Sequence, residues 1–297
     1  MSHLYTLQNI KQIISVTKFN CKDSIQSIPN PTLKKKVLGQ YKQVEIFRIV
    51  YKVKSLKVIG YIAIPKSGEN LPCIIHLRGG SKDFGMITSK AILGNMLNYS
   101  SEGYVVITTQ YPGVEGGDGK DEMGGNHDIE SIKLLREILK KIPQADSGNL
   151  GIKGHSRGGL MVYMLLREVK WIKAAVIAGA PTDQVNRTGD RPGWKEHQKE
   201  MWGGSKMETI KRSPIRWVNE LSKKAPLLIM HGSADWRVLP RHSLEILPLL
   251  AQATIPHRFI LFEGADHGIS EYRLEYHRQT MDWFNRFLIN KEHKGCN

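Results

Sequence analysis

Short apolar runs of strand length alternate with stretches of helical spacing through most of the chain, and few folds accept that pattern. LPCIIHL (71–77) and GYVVITTQY (103–111) are nearly continuous apolar runs, as expected for strands covered on both faces. Ala174–Ala178, Ala225–His231 and His257–Phe262 are further strand candidates, and Asn149–Lys153 a short one. Between them, Ile129, Ile132, Leu135, Ile138 and Leu139 recur at helical spacing, and residues 89–100, Leu160–Val169 and Ser243–Gln252 read as helices. Strands alternating with helices predict an α/β fold, a mostly parallel sheet covered by helices on both faces. Ahead of it, VEIFRIVYKV and LKVIGYIAIP flank Lys54-Ser55 and predict a hairpin.

Residues 1–42 read as short helices with polar breaks, a helical extension ahead of a domain spanning 43–297. Within that domain residues 183–224 lack a clear strand and hold Trp194, Trp202 and Trp217, so they are a candidate lid or specificity segment. A chain of 297 residues can bury a full core. No apolar run is long enough to span a bilayer, and the first thirty residues lack the pattern of a secretory signal. Cys21, Cys73 and Cys296 are odd in number and far apart, without a CxxC pair. They read as free thiols of a reducing cytoplasm. The 43 Lys and Arg against 28 Asp and Glu give a net charge of +15. Read as spread along the chain and interrupted by acids, that excess predicts a solvated surface and no nucleic-acid partner.

GNLGIKGHSRGGLMVY holds a serine, Ser156, between Gly154 and Gly158, after a predicted strand and before a predicted helix. A plain strand-to-helix connection would also be glycine-rich. A nucleophile elbow needs this pattern for a stronger reason, because its turn leaves no room for side chains two residues either side of the serine. A serine hydroxyl needs a base within hydrogen-bond reach, and the base needs an orienting acid. HGSADWRV sets Asp235 in a loop after one late strand, and EGADHGIS sets His267 in a loop after the next. The order Ser156, Asp235, His267 is that of an α/β-hydrolase, with each residue at the carboxyl end of a strand. Asp183 is the second candidate for the acid; Asp266 reads as a turn cap, His231 as structural, and His155 as held away from the hydroxyl. The oxyanion donors expected are the backbone N–H of Arg157 and the loop HLRGGSKDFG, with Gly79 and Gly80. The histidines show no metal-ligand spacing, and neither metal nor cofactor is expected.

Together GHSRGG, HGSADWRV and GADHGIS resemble the three catalytic stretches of the prolyl oligopeptidase-like (peptidase S9-like) serine hydrolases. SPIRWVNELSKKAPLLIMHGSAD resembles the family's approach to the acid loop, and QYPGVEGGDGKDEMGGNHDIESI its glycine-rich stretch, with Asp128 at a usually acidic place. The likeness runs over roughly residues 56–290 and implies an α/β-hydrolase fold. The family's peptidases usually carry a β-propeller ahead of this domain, where some fifty residues stand here. Arg78 occupies a place where the family more often has Tyr or His, and Tyr111-Pro112-Gly113 replaces its YRG. Arg78 therefore either points into the site, on the oxyanion or a substrate carboxylate, or pairs with a nearby acid such as Asp83. Trp194, Trp202 and Trp236 are the candidate pocket walls. The function expected is hydrolysis of an ester or amide of a small molecule or short peptide, esters favoured. A peptidase or amidase on short or blocked peptides is the alternative within the class, and a binding module without turnover the alternative outside it.

Overall fold

A computed structural model describes residues 2–292, so Cys296 lies outside the described residues. The chain forms two compact units. The first comprises residues 1–78, 82–121 and 130–149, and the second residues 79–81, 122–129 and 150–297.

In the first unit, β1 (Ile13–Lys18), β2 (Val44–Val53), β3 (Leu56–Pro65), β4 (Leu71–Leu77) and β5 (Val105–Thr109) lie in the order β1-β2-β3-β5-β4. β2 and β3 pair antiparallel in register from Val44↔Pro65 to Val53↔Leu56. Their two-residue connection places Lys54 at φ 54°, the left-handed conformation that a tight hairpin turn demands. β4 and β5 pair in parallel. The helices are α1 (His3–Gln8), α2 (Lys22–Gln26), α3 (Pro31–Gln43), α4 (Ser89–Ile92) and α5 (Asn98–Ser100), the last two joined by a π-turn over Leu93–Leu97.

The expectation that residues 1–42 are helical misses β1. IISVT is rich in β-branched residues and pairs antiparallel with β2, Ile13 opposite Tyr51 and Lys18 opposite Phe47. Ile13 is the one residue of β1 that is fully buried, so the run has too weak an alternation to announce itself.

In the second unit every strand pairing is parallel, in the order β6-β7-β8-β9. β6 spans Ala145–His155, β7 Ile172–Ala178, β8 Leu227–Gly232 and β9 His257–Phe262. α6 (Asn126–Leu139) precedes β6, and α7 (Arg157–Glu168) connects β6 to β7. Three short helices follow β7: α8 (Arg187–Asp190), α9 (Trp194–Trp202) and α10 (Lys206–Lys211). α11 (Arg241–Gln252) connects β8 to β9, and α12 (Arg273–Phe284) closes the order. α7 is buried from Arg157 to Leu166, as a helix packed on all sides must be. This alternation of parallel strands and helices is the α/β-hydrolase fold, and it delivers the loops after β6, β8 and β9 to the strands' carboxyl ends. Among the described residues no helix is long and apolar enough to cross a membrane.

Candidate active site

β6 ends at His155, and Ser156 turns the chain straight into α7. Its backbone has φ 56° and ψ −124°, a conformation that costs a non-glycine residue about 1–3 kcal/mol and survives only where neighbours enforce it. The enforcement is visible: Ser156 N–H donates to Ala178 O at 2.8 Å, and the N–H groups of Gly159 and Leu160 donate to Ser156 O at 2.9 and 3.2 Å. Gly154 allows the turn to close, since a Cβ there would lie 2.1 Å from Gly158 O.

Ser156 Oγ lies 3.0 Å from His267 Nε2, and His267 Nδ1 lies 2.7 Å from Asp235 Oδ2. Asp235 is buried. Its Oδ1 accepts the N–H groups of Arg237 and Val238, both at 2.9 Å. Burial pushes this carboxyl up, yet the hydrogen bonds from His231, His267 and the Val238 N–H outweigh it and hold the group well below the usual carboxylate range. Asp235 is therefore an anion that accepts from Nδ1–H. That leaves the Nε2 lone pair to accept the Ser156 Oγ–H, the tautomer a general base requires.

Two histidines brace this arrangement. His231 Nε2 donates to Val238 O at 2.8 Å and lies 3.2 Å from Asp235 Oδ2, while its Nδ1 meets Ser243 Oγ at 2.7 Å. His155 Nε2 donates to the backbone carbonyl of His267 at 2.6 Å, and the two rings lie 4.7 Å apart. Burial, with His267 beside it, pushes the His155 imidazole down to about 4, so it stays neutral at ordinary pH. The sequence reads His231 as structural and His155 as held away from the hydroxyl, without a partner for either. His155 does not contact the hydroxyl; it anchors the loop that carries the base.

The Gly79–Gly80 loop faces the elbow. A side chain on Gly79 would meet His155 O at 3.0 Å and Ser156 Cβ at 3.3 Å, so its backbone stands directly against the nucleophile turn. What holds it there is the side chain of Arg157. This guanidinium is buried, its Nη1 donating to Gly80 O at 3.1 Å and its Nη2 to Asp128 Oδ2 at 2.9 Å. The same Asp128 oxygen accepts the Gly124 N–H at 2.7 Å. The sequence points to Arg157 for its backbone N–H alone, and to Asp128 for its place in a motif. Their pairing could not be read from either stretch.

Arg78 is buried, and its guanidinium donates to Gln110 O at 3.0 Å, Phe84 O at 3.2 Å and Lys82 O at 2.9 Å. The acid beside it is Asp121, at 3.9 Å, rather than Asp83. These contacts fit its structural alternative, because the donors a substrate carboxylate would need already serve Gln110 O and the loop that follows Arg78. Trp194 is buried against Met123 and Met201, with half-buried Trp202 packed on the same cluster. Their ring N–H groups donate to Gln184 Oε1 at 3.0 Å and Thr209 Oγ1 at 3.1 Å, as core residues do. Trp236, next to the acid, is exposed. Asp183 is turned into its own loop, accepting from the N–H groups of Val185 and Asn186, and Asp266 caps the Gly268 and Ser270 N–H groups.

Residues 93–291 match the model of the prolyl oligopeptidase family, and residues 20–141 match that of acetyl xylan esterase. The uncharacterized peptidase YtmA of Bacillus subtilis is 28% identical over 218 residues, covering 72% of this chain and 82% of YtmA. The acylamino-acid-releasing enzyme of Homo sapiens is 23% identical over 252 residues, covering 78% of this chain and 32% of that protein. Among solved structures, the Pyrococcus horikoshii acylaminoacyl peptidase superimposes with a TM-score of 0.74 at 24% identity, covering 89% of this chain and 44% of that one. The chain thus spans most of YtmA and less than half of the other two. The family match covers two-thirds of the chain and includes the Ser156 elbow, the Asp235 loop and the His267 loop: the chain belongs to the prolyl oligopeptidase family of serine hydrolases.

Proposed function

We propose that the chain hydrolyses an ester or amide of a small molecule or short peptide through an acyl-enzyme, with esters preferred. The observation that carries this reading is the line from Ser156 Oγ through His267 to Asp235, with both pairs at hydrogen-bond distance, 3.0 and 2.7 Å, and the acid ionised. Ser156 attacks the carbonyl carbon while His267 Nε2 takes its proton. Asp235 stabilises the imidazolium formed. The backbone N–H of Arg157, at the start of α7, and that of Gly79 or Gly80 receive the oxyanion. His267 then returns the proton to the leaving alcohol or amine, and water releases the acyl group by the same steps in reverse order.

Ester preference is supported by the match of residues 20–141 to the acetyl xylan esterase model, and by the better leaving group an alkoxide makes. The amide reading is supported by relatives whose names describe release of acylated amino acids, and by a Mycobacterium tuberculosis structure described as a puromycin-hydrolyzing peptidase. Residues 183–224 serve as the specificity segment in this reading, and Trp236 is the aromatic side chain with an open face beside the acid. A cytoplasmic location is supported by Cys21 and Cys73, both buried free thiols.

The test is kcat/KM of the purified protein on p-nitrophenyl acetate and butyrate against N-acetyl-aminoacyl p-nitroanilides. Esters are expected to be turned over faster, and Ser156→Ala to lose both activity and labelling by a fluorophosphonate by several orders of magnitude. Wild-type turnover in Ser156→Ala would overturn the mechanism, and a higher kcat/KM on the anilides would overturn the ester preference alone.

A further inference from the structure

The residue before the nucleophile reaches two other loops of the site. His155 Nε2 donates to the backbone carbonyl of His267 at 2.6 Å. A carbonyl only accepts, so the single N–H of a neutral His155 is on Nε2, and Nδ1 carries a lone pair. That Nδ1 faces the second loop, since a Cβ on Gly79 would lie 3.8 Å from it. Gly179, the residue after β7, completes the enclosure. Its φ is 52°, and a Cβ there would stand 3.4 Å from His155 Nε2, 3.5 Å from Asp235 Oδ2 and 3.5 Å from His267 Cε1. Its own N–H donates to Met230 O on β8 at 3.0 Å. Acid, base and His155 therefore converge on one piece of backbone that the sheet holds in place.

Hydrogen bonds restrain the base loop unevenly. Ala265 O accepts the Ala234 N–H at 3.0 Å, which ties the start of the loop to the acid loop. Past that point the N–H groups of Gly268 and Ser270 donate to Asp266 Oδ1 and that of Ile269 to Asp266 O, so the loop closes on itself. A turn closed in this way can pivot as a body about its start. The bond from Asp235 to Nδ1 fixes one atom of the His267 ring, and a ring held at one atom can still swing its Nε2. The bond from His155 to the His267 carbonyl supplies a second fixed point.

We propose that His155 is a positioning residue for the general base: its Nε2–H fixes the His267 peptide, and with it the 3.0 Å reach from His267 Nε2 to Ser156 Oγ. The role presupposes the hydrolase reading, since it acts through the proton transfer assigned there to His267. Neutrality suits the task. Burial and the neighbouring His267 push the His155 imidazole down to about 4, so it adds no charge beside the imidazolium that forms on a ring 4.7 Å away. Lys or Arg at this place would supply a donor together with repulsion, whereas Gln supplies an uncharged N–H of similar reach.

The experiment compares His155→Phe, which keeps a ring and loses the donor, with His155→Gln, which keeps a donor and loses the ring. For each, kcat and KM on p-nitrophenyl butyrate, the rate of Ser156 labelling by a fluorophosphonate, and the melting temperature are measured. A fourth reading is the downfield proton resonance of His267 Nδ1–H, assigned by its loss in His267→Gln. His155→Phe should lower kcat and the labelling rate by up to about 10², the cost of a misplacement near 1 Å, with KM nearly unchanged. Its Nδ1–H resonance should broaden as the loosened ring exchanges its proton with water. His155→Gln should recover most of the loss in all three. If His155→Phe does not fold, His155→Leu provides the donor-free comparison. Wild-type kcat and labelling in the donor-free variant would overturn the proposal. So would a loss that follows the melting temperature and that glutamine does not recover, or a rise in KM alone, which would make His155 a substrate contact. Wild-type protein that neither turns over ester nor takes the label would refute the hydrolase reading, while the Nδ1–H resonance, which needs no substrate, still decides whether His155 holds the base.

Discussion

Arg157→Met isolates the side chain of a residue whose backbone N–H is the proposed oxyanion donor. The substitution keeps the backbone N–H at the start of α7 and removes the guanidinium that bridges Gly80 O and Asp128 Oδ2 at 3.1 and 2.9 Å. Asp128 is then left buried and charged, with the Gly124 N–H still donating to it. Breaking a buried pair by removing one partner costs about 3–5 kcal/mol, against a total stability of about 5–15 kcal/mol. The variant should fold with a melting temperature lower by roughly 6–20 °C. Its loss of rate has a different origin. With Gly80 untethered, the loop that stands against Ser156 can drift, and an oxyanion donor out of place costs up to about 10²–10³ in kcat with little change in KM.

The double variant Arg157→Met/Asp128→Asn separates the two effects. It removes both charges, so most of the lost stability should return. Gly80 remains untethered, so kcat should stay low. Thermal melts and steady-state kinetics on a p-nitrophenyl ester give both readings from one preparation. Recovery of kcat together with the melting temperature would refute the positioning role and leave Arg157 a folding residue only.

Asp235→Asn should lower kcat by about 10⁴, the size of effect seen when a triad histidine takes the wrong tautomer, whereas Asp183→Asn should leave kcat nearly unchanged; the reverse ranking in steady-state assays would reassign the acid. Arg78→Met deprives the buried carbonyl of Gln110 and the more accessible carbonyls of Lys82 and Phe84 of a donor and should destabilise by about 1–3 kcal/mol, mainly through Gln110, with equal effects on a neutral ester and its carboxylate-bearing analogue. A selective rise in KM for the charged analogue at constant melting temperature would restore the substrate-binding role. Burial pushes the Lys153 ammonium down from 10.5 to about 7, so between those pH values the unfolded chain holds a proton that the folded one has released. Wild-type stability should therefore rise with pH from 7 towards 10 relative to Lys153→Met, and parallel profiles in thermal melts would contradict this.

What the sequence discloses and what it withholds divide on physical lines. The elbow was legible because its requirement is local: the 2.1 Å approach that a Cβ at Gly154 would make arises within a few residues of chain. β4 and β9 were legible over 71–77 and 257–262 because each is an apolar run bounded by breaks, and the structure returns those limits. β1 was missed because an edge strand with a single buried residue has almost no period to detect. Arg78 stays between two roles in the sequence because a glycine-rich neighbourhood says that backbone comes close, without saying in which direction a long side chain turns. The Arg157–Asp128 bridge joins residues 29 apart through no repeating pattern, and His155 reaches a carbonyl 112 residues away. Such contacts are set by the packing of strands already formed, so a one-dimensional pattern carries no trace of them.

The same packing ties residues 183–224 to the Gly79–Gly80 loop. Arg212, buried at the end of α10, donates from Nε to Met123 O at 2.9 Å and from Nη2 to Glu122 O at 3.0 Å. The next peptide N–H, that of Gly124, holds the Asp128 carboxylate, and Asp128 holds Arg157, which holds Gly80. One short piece of backbone is thus gripped by its carbonyls from the segment 183–224 and by its N–H from the site. Packed, hydrogen-bonded groups of this kind shift between discrete arrangements rather than stretch, so a displacement of Arg212 cannot be absorbed within residues 122–124 alone. The physical expectation is that 183–224 does not act as a free flap over a finished site. Its seat on Glu122 and Met123 helps define where Gly80 stands, and with it the geometry in which Ser156 meets a carbonyl. A neat division, in which that segment governs binding and the triad governs rate, is inconsistent with a chain of contacts that starts in one and ends in the other.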